Sequence, residues 1–340
     1  MNNRIIKYLS ASLLILAVMA SPRSLQAQKI SAADRATLQK KEDSLKEFSA
    51  RMVFDSITAN RFRSDSQFVR TFVRALVTKN SFYYPFDSLN ISRLYAPDSS
   101  FRIFTWQMKK DEYVYHQKGA IQVPTKDGSL KLFPLFDASM FTKNPMDSVR
   151  NVRNWIGALY YRIIMKEYNG KKYYTLLGFD DFSVNSNKKW IEVLTFNQNG
   201  EPVFGGPFFS YKNDSIKKAV QTRFSIEYKK EAKTFLNYDP EIDVILVDHL
   251  VSESDEPEKR WTLVPDGDYE AFKWQNGQWV HVDKLFNQML KDGDFPKDAL
   301  IMDDAGNVNE RQLEEQSRRN LNKGNKKPEP VKPPKKKPNN

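Results

Sequence analysis

Apolar positions in the first third of the chain follow a helical period. From Ser31 they recur at spacings of seven, three and four, with Lys, Glu and Asp at many positions between them, which predicts an amphipathic helix ending near Asn60. A second helix is predicted from Ser64 or Asp65, either of which can cap it, to Lys79. The pattern therefore predicts a helical hairpin. Its apolar stripes are Leu38, Leu45, Phe48, Met52, Phe68, Phe72, Leu76 and Val77.

Beyond about residue 95 the pattern changes to short aromatic and β-branched runs, which are typical of strands. Asn-Gly and Asp-Gly pairs separate many of these runs, and type I′ hairpin turns favour such pairs because both central residues need a positive φ. We therefore predict an α+β fold that is mainly antiparallel β (a sandwich, an open barrel or a small propeller) with an N-terminal helical hairpin. The pairs are Asp127-Gly128, Asn169-Gly170, Asn199-Gly200, Asp266-Gly267 and Asn276-Gly277.

The chain begins with the order of a secretory signal peptide. Arg4 and Lys7 precede an uncharged apolar run, and a polar stretch then ends at Ala27. The apolar run is shorter than the roughly 20 residues that a membrane-spanning helix needs. We therefore predict cleavage after Ala27, with Ala20 as the competing position and an uncleaved anchor as the alternative.

The positive charge is concentrated at the two ends of the chain. The formal net charge is +11, of which residues 318–340 contribute +8 and residues 1–27 contribute +3, so the body between them is balanced. This distribution argues against specific nucleic-acid binding by the body. The predicted segments are 1–27 signal peptide, 28–94 helical hairpin region, 95–283 antiparallel β domain, 284–322 partly helical extension and 323–340 disordered Lys/Pro tail.

The turn Asn276-Gly277 marks the most informative candidate site. A two-residue turn fixes the register of its strands, so Trp274 should lie opposite Trp279 and Phe272 opposite His281, all four on one face. One interpretation is an aromatic platform for a sugar ring or a partner peptide, flanked by the titratable groups Glu270, His281 and Asp283. The alternative is a cross-strand aromatic cluster that only stabilises the hairpin.

Other sequence features give weaker indications of chemistry. Asp248 and His249 are neighbours on a strand and should point to opposite faces, so we expect no shared site. Residues 178–185 concentrate carboxylates and amides that Ca²⁺ could use, but they lack the alternating acids and closing glutamate of a calcium loop, which favours a solvated turn. The chain has no cysteine, three histidines and no phosphate-loop, dinucleotide or hydrolase motif, so no cofactor or metal is predicted.

Several segments in succession resemble a family of exported, uncharacterised Bacteroidota proteins. The resemblance covers roughly residues 95–283, and the leader ending Gln26-Ala27-Gln28 is similar as well. The family has no assigned activity, so the resemblance implies a Gram-negative envelope setting and no functional residues. The segments are Trp155 to Tyr161, Tyr174 to Phe179, Trp190 to Phe196, Pro202 to Gly205 and Val264 to Tyr269.

These observations favour a non-enzymatic envelope protein, in the periplasm or at the cell surface, that binds a protein or glycan partner. The alternative is a carboxylate-dependent glycan hydrolase, which would require a cleft with two facing carboxylates about 5–10 Å apart. A binding module would instead present an aromatic surface. The basic tail admits contact with anionic envelope polymers, nonspecific nucleic-acid binding or a passive solubilising role.

Overall fold

Two helices form the N-terminal hairpin, in agreement with the apolar pattern. The computed structural model describes residues 30–111, 114–216 and 218–283, with helix α1 at Ala32–Phe54 and helix α2 at Thr58–Leu76. Ser31 caps α1, because its hydroxyl accepts the Asp34 N–H at 3.0 Å. The predicted signal peptide 1–27, extension 284–322 and tail 323–340 lie outside the described residues.

The break between the helices lies earlier than the sequence predicted. The Asp55 carboxylate accepts the Ile57 N–H at 2.9 Å, and Arg61 donates to the Asp55 carbonyl at 2.7 Å, which ends α1 and starts α2. The predicted caps are therefore wrong. Ser64 and Asp65 are buried within α2. The end of α1 depends on Arg61, which belongs to α2. The spacing of apolar residues in α1 therefore does not predict it.

Fifteen strands follow within the described ranges, and they form three open sheets. The first sheet has the order β1-β2-β3-β4. The second has the order β5-β9-β8-β7-β6, with β11 also paired to β8, and the third has the order β10-β15-β14-β13-β12. The strands are β1 Ser92–Tyr95, β2 Arg102–Lys109, β3 Tyr115–Val123, β4 Lys131–Phe136, β5 Arg150–Asn151, β6 Leu159–Tyr168, β7 Lys171–Asp180, β8 Ser186–Phe196, β9 Pro202–Phe204, β10 Phe209–Ser210, β11 Arg223–Lys229, β12 Leu236–Asp239, β13 Val244–Ser252, β14 Leu263–Gln275 and β15 Gln278–Val282.

The helices and sheets stack in four layers, so the α+β fold with mainly antiparallel strands is confirmed. Alternate side chains along β2 show the layering, because Phe104 and Trp106 pack on the helices while Ile103, like Phe101 just before the strand, packs on the second sheet. The second sheet presents Leu176 to the first sheet and Leu177 to the third, and it is therefore buried on both faces. Of the three predicted architectures, the chain adopts a stacked sandwich.

The turn predictions are confirmed at two two-residue hairpins and at Asp127-Gly128, which lies in the turn between β3 and β4, and they are wrong at one position. Asn169-Gly170 joins β6 to β7 and Asn276-Gly277 joins β14 to β15, each with positive φ at both residues. Asn199-Gly200 lies in a longer loop in which only the glycine has a positive φ. Asp266-Gly267 is not a turn between strands, because it lies inside β14 where the pairing with β13 shifts register.

Arg102 is a buried cation that joins the hairpin segment to the first sheet. Its side chain is 1% exposed and donates to the carbonyls of Ser81 at 2.8 Å and Tyr84 at 2.6 Å. It also donates to Gln122 Oε1 at 2.9 Å and to the Tyr95 hydroxyl at 2.8 Å. Burial lowers the pKa of Arg102 to about 10. One guanidinium thus satisfies four acceptors from separate parts of the chain.

Replacing Arg102 with lysine should destabilise the protein by at least about 2 kcal/mol, because an ammonium cannot reproduce the planar fork and leaves buried acceptors unpaired. Urea unfolding of wild type and Arg102→Lys measures the difference. Arg162→Lys is the matched control, since Arg162 is half-buried and donates to Asn237 Oδ1 at 3.0 Å. Equal losses in the two variants would contradict the role assigned to Arg102.

Candidate functional site

The hairpin around Asn276-Gly277 has the predicted register. Trp274 lies opposite Trp279 with ring centroids 5.2 Å apart, and Phe272 lies opposite His281. The shared face is turned towards the second sheet, where the Trp279 indole N–H donates to Thr175 Oγ1 at 2.8 Å. Phe272, Trp279 and His281 are buried, and Trp274 is half-buried. These surroundings favour the packing interpretation, while a binding role for the four residues stays a prediction.

His281 is held between two carboxylates. Its Nδ1 lies 2.9 Å from Asp214 Oδ2 and its Nε2 lies 3.0 Å from Glu270 Oε2. Burial alone would lower the pKa of His281, but the hydrogen bonds and charges of Glu270 and Asp214 outweigh it and raise the pKa above its ordinary value. A protonated ring can donate to both acids at once, so the geometry suits an imidazolium.

A row of alternating carboxylates and imidazoles continues from His281 towards the surface. Glu270 Oε1 lies 3.9 Å from His249 Nε2, and His249 Nδ1 lies 2.8 Å from Asp266 Oδ2. The register shift in β14 places Asp266 opposite His249. Asp248 is buried and accepts the Phe235 N–H at 2.5 Å. The side chains of Asp248 and His249 therefore bind different residues, as predicted for neighbours on a strand. Asp214 lies in a loop 67 residues before His281, and no pattern in the sequence predicts its contact with His281.

The acid-rich segment 178–185 contains a buried carboxylic acid. Asp180 ends β7 and accepts the Gln117 Nε2–H at 3.1 Å, while its neighbour Asp181 pairs with Lys230. Burial raises the pKa of Asp180 to about 7, and the nearby Asp137 adds to this effect. Within the described ranges no group of three or more His, Cys, Asp or Glu residues could hold a metal ion.

A cleft of about 510 Å³ opens at the edge of the first sheet. It lies between the end of α1 and the segment before β1 on one side, and β2, β3 and β6 on the other. Its volume falls in the range of about 300–1,000 Å³ that is typical of ligand sites. Its lining comprises the apolar residues Val53, Leu89, Ile91 and Leu159, the aromatic residues Phe54, Trp106 and Tyr115, and the polar residues Asn90, Ser92, Arg93 and Gln107.

The cleft exists because β1 is shorter than the strand beside it. Pairing of β1 with β2 ends at Ser92 and Thr105, whereas β2 continues to Lys109. Arg93 turns the preceding chain away, since it donates to the carbonyls of Leu89 at 2.5 Å and Ile91 at 3.0 Å. One edge of β2 therefore has no strand partner over its last four residues within the described part of the chain.

Polar groups in the cleft are suited to binding a neutral or acidic ligand. Trp106 is 6% exposed, and its indole N–H is buried without a hydrogen-bond partner among the described residues. Burial and a hydrogen bond to Asp181 raise the pKa of Tyr115, so its hydroxyl stays neutral. Arg93 is the charged residue of the lining, and no carboxylate of the described residues lines the cleft. No motif or spacing in the sequence predicts this cleft.

The raised pKa of Asp180 predicts that stability falls as pH rises. The native state keeps this proton up to about pH 7, whereas the unfolded chain loses it near 3.8, so the native state binds more protons between these values. The free energy of unfolding of wild type should therefore fall by up to about 4 kcal/mol as the pH rises through this range. Asp180→Asn should remove this fall and should stabilise the protein above pH 7.

Denaturant unfolding from pH 4 to pH 8 measures this effect. Asp181→Asn is the matched control, because Asp181 lies next to Asp180 in sequence but pairs with Lys230. The control should lose only a small part of the slope, because the Asp181 charge makes the smallest of the contributions to the raised pKa of Asp180. An Asp180→Asn protein with an unchanged slope would show that Asp180 is ionised in the native state.

Comparisons with known proteins leave the site to be interpreted from its geometry. The chain matches no protein-family model, no curated protein and no solved structure. In the described ranges, neither helix combines the length and apolarity that crossing a membrane requires.

Proposed function

We propose that the protein is an exported binding module of a Gram-negative cell envelope, located in the periplasm or at the cell surface, and that it binds a protein or glycan partner in the cleft beside β2. The order of charged, apolar and small residues in segment 1–27 supports export. The resemblance to exported Bacteroidota proteins supports the envelope setting. The basic residues 318–340 would add salt-sensitive contact with anionic envelope polymers.

The cleft is the observation that carries the binding role. Its lining combines Trp106 and Tyr115 with the amides of Asn90 and Gln107. Aromatic rings offer apolar area and side-chain amides offer directional hydrogen bonds, which is the composition of a recognition site. A hydrolase acting here would need a pair of carboxylates, and the described lining has none.

The carboxylate-dependent glycan hydrolase is retained as the alternative because of Asp180. A carboxylic acid with a pKa of about 7 can serve as a general acid, and Asp137 lies close enough to raise that pKa. However, the Asp137 carboxylate accepts the N–H groups of Ser139 at 2.9 Å and Gly157 at 3.1 Å, which fixes a loop. Asp180 is 8% exposed, so substrate access is poor.

Export predicts a processed amino terminus. When the full chain is expressed in a Gram-negative host, the protein recovered from the periplasm should lack residues 1–27 because a signal peptidase removes them. Intact-mass analysis of the periplasmic fraction measures this change. A chain that retains Met1, or that stays in the cytoplasm, would contradict the proposed localisation.

A bulky side chain in the cleft should weaken ligand binding without loss of fold. Asn90 is exposed and lines the cleft, so Asn90→Trp fills the space from the rim. Gln198→Trp adds the same bulk in the exposed loop between β8 and β9 and is the matched control. We expect binding in a glycan array or a linear-peptide library to fall at least about tenfold in Asn90→Trp alone, which corresponds to 1.4 kcal/mol.

The same screen distinguishes the two functions. Ligands that bind wild type and both variants equally would contradict a site in the cleft. Release of reducing ends from a glycan, lost in Asp180→Asn but kept in Asn90→Trp, would favour the hydrolase.

A further inference from the structure

Among the described residues, the edge of β2 beyond Thr105 has no strand partner on the β1 side, and its backbone groups there face the cleft. The Ala96 N–H donates to the Phe101 carbonyl at 2.9 Å, which identifies that pair as one whose backbone groups point towards each other. Backbone groups point to the same side at every second residue of a strand. Gln107 and Lys109, which lie six and eight residues after Phe101, therefore also direct their backbone groups towards the β1 side. Arg61 Nε confirms this direction, because it donates to the Lys109 carbonyl at 2.6 Å.

β1 stops before it reaches Gln107. Ser92 pairs with Thr105, and within the described residues no strand lies opposite Gln107 on that side. The backbone N–H and C=O of Gln107, together with the N–H of Lys109, therefore form a short template for another strand. A four-residue strand spans about 13 Å, which fits the length left open from Trp106 to Lys109.

The cleft occupies the place that a longer β1 would fill. Trp106 and Phe54 line it on the helix side, and Tyr115 and Leu159 line it on the side of the second sheet. A strand lying there would direct alternate side chains to these two walls. The indole N–H of Trp106 is buried and has no partner among the described residues, and a carbonyl of an entering chain would satisfy it once the ring turns that edge into the cleft.

The charges around the cleft favour an acidic segment. Arg93 lines the cleft, and Arg61 lies close enough to offset part of the rise in the pKa of Tyr115 that burial and Asp181 cause. The Asp181 carboxylate is itself paired with Lys230. Both guanidinium groups donate to neutral oxygens, Arg93 to backbone carbonyls and Arg61 to carbonyls and the Thr58 hydroxyl. The described lining contains no carboxylate to balance them.

We propose that the cleft binds an extended, acidic peptide segment of a partner protein, which adds to the first sheet as a strand in line with β1 and pairs with Gln107. This inference rests on the proposed binding function and specifies its ligand class. Strand addition derives affinity from the backbone of the peptide and specificity from alternate side chains. It accounts together for the open edge, the unsatisfied indole and the cationic lining.

The test uses the purified protein and a phage-displayed library of linear heptapeptides. We expect selected peptides to be enriched in Asp and Glu. When one is synthesised, N-methylation at alternate positions should abolish binding, because methylation removes the N–H groups that face Gln107 and leaves the other positions unaffected. The backbone amide of Gln107 should exchange with deuterium at least about tenfold more slowly in the complex.

Trp106→Phe tests the indole with its ring packing retained and should weaken the peptide about tenfold. Trp190→Phe is the matched control, since the Trp190 indole N–H is also buried without a partner among the described residues but lies away from the cleft. The control should bind as wild type does. Thermal unfolding of both variants shows whether the fold is intact.

Four outcomes would overturn the inference. The first is a set of selected peptides whose binding does not depend on alternate N–H groups, and the second is a Gln107 amide that shows no protection in the complex. A glycan whose binding is lost in Asn90→Trp, with no peptide bound, would overturn strand addition but keep the proposed binding function. If neither peptides nor glycans bind in a manner sensitive to Asn90→Trp, the proposed function fails as well.

Discussion

The ion pair between Glu192 and Arg223 is the interaction on which the arrangement of the layers depends. Arg223 Nε lies 3.0 Å from Glu192 Oε2, and the two side chains are 0% and 3% exposed. The pair joins β11 to β8 in the sheet that is buried on both faces. Removing one partner of such a pair typically costs about 3–5 kcal/mol, because the other charge is left in a medium that solvates it poorly.

The side chains of Glu192 and Arg223 also make hydrogen bonds outside the pair, Glu192 with β6 and Arg223 with the segment before β5. The Tyr160 hydroxyl donates to Glu192 and accepts the Trp155 indole N–H at 2.8 Å, while Arg223 donates to the Ser148 carbonyl at 2.9 Å. The network thereby fixes β6 and the segment before it. The Tyr160 N–H donates to Thr105 Oγ1 at 3.0 Å, which locks the second sheet to β2 near the cleft. The position of the cleft is thus a consequence of how the central sheet is held.

Local patterns predicted the local structure, and contacts between distant segments decided the rest. Asn276-Gly277 was sufficient to place Trp274 opposite Trp279, because a two-residue turn leaves one register. The partner of His281 could not be predicted in this way, since Asp214 belongs to a loop without periodicity. The cleft depends on where β1 ends, and that point is set by Arg93 binding carbonyls of its own segment. No rule of spacing identifies such an end.

The open edge of β2 is consistent with selective binding because of its position. Exposed strand edges promote aggregation, and proteins usually cover or charge them. Here the edge is recessed between the end of α1 and β6, and Phe54 stands 74% exposed beside it. A single extended segment can enter this space, whereas the edge of a second sheet would meet the helix and the second sheet first. The recess would therefore leave the strand edge available to the proposed extended segment while excluding broader partners.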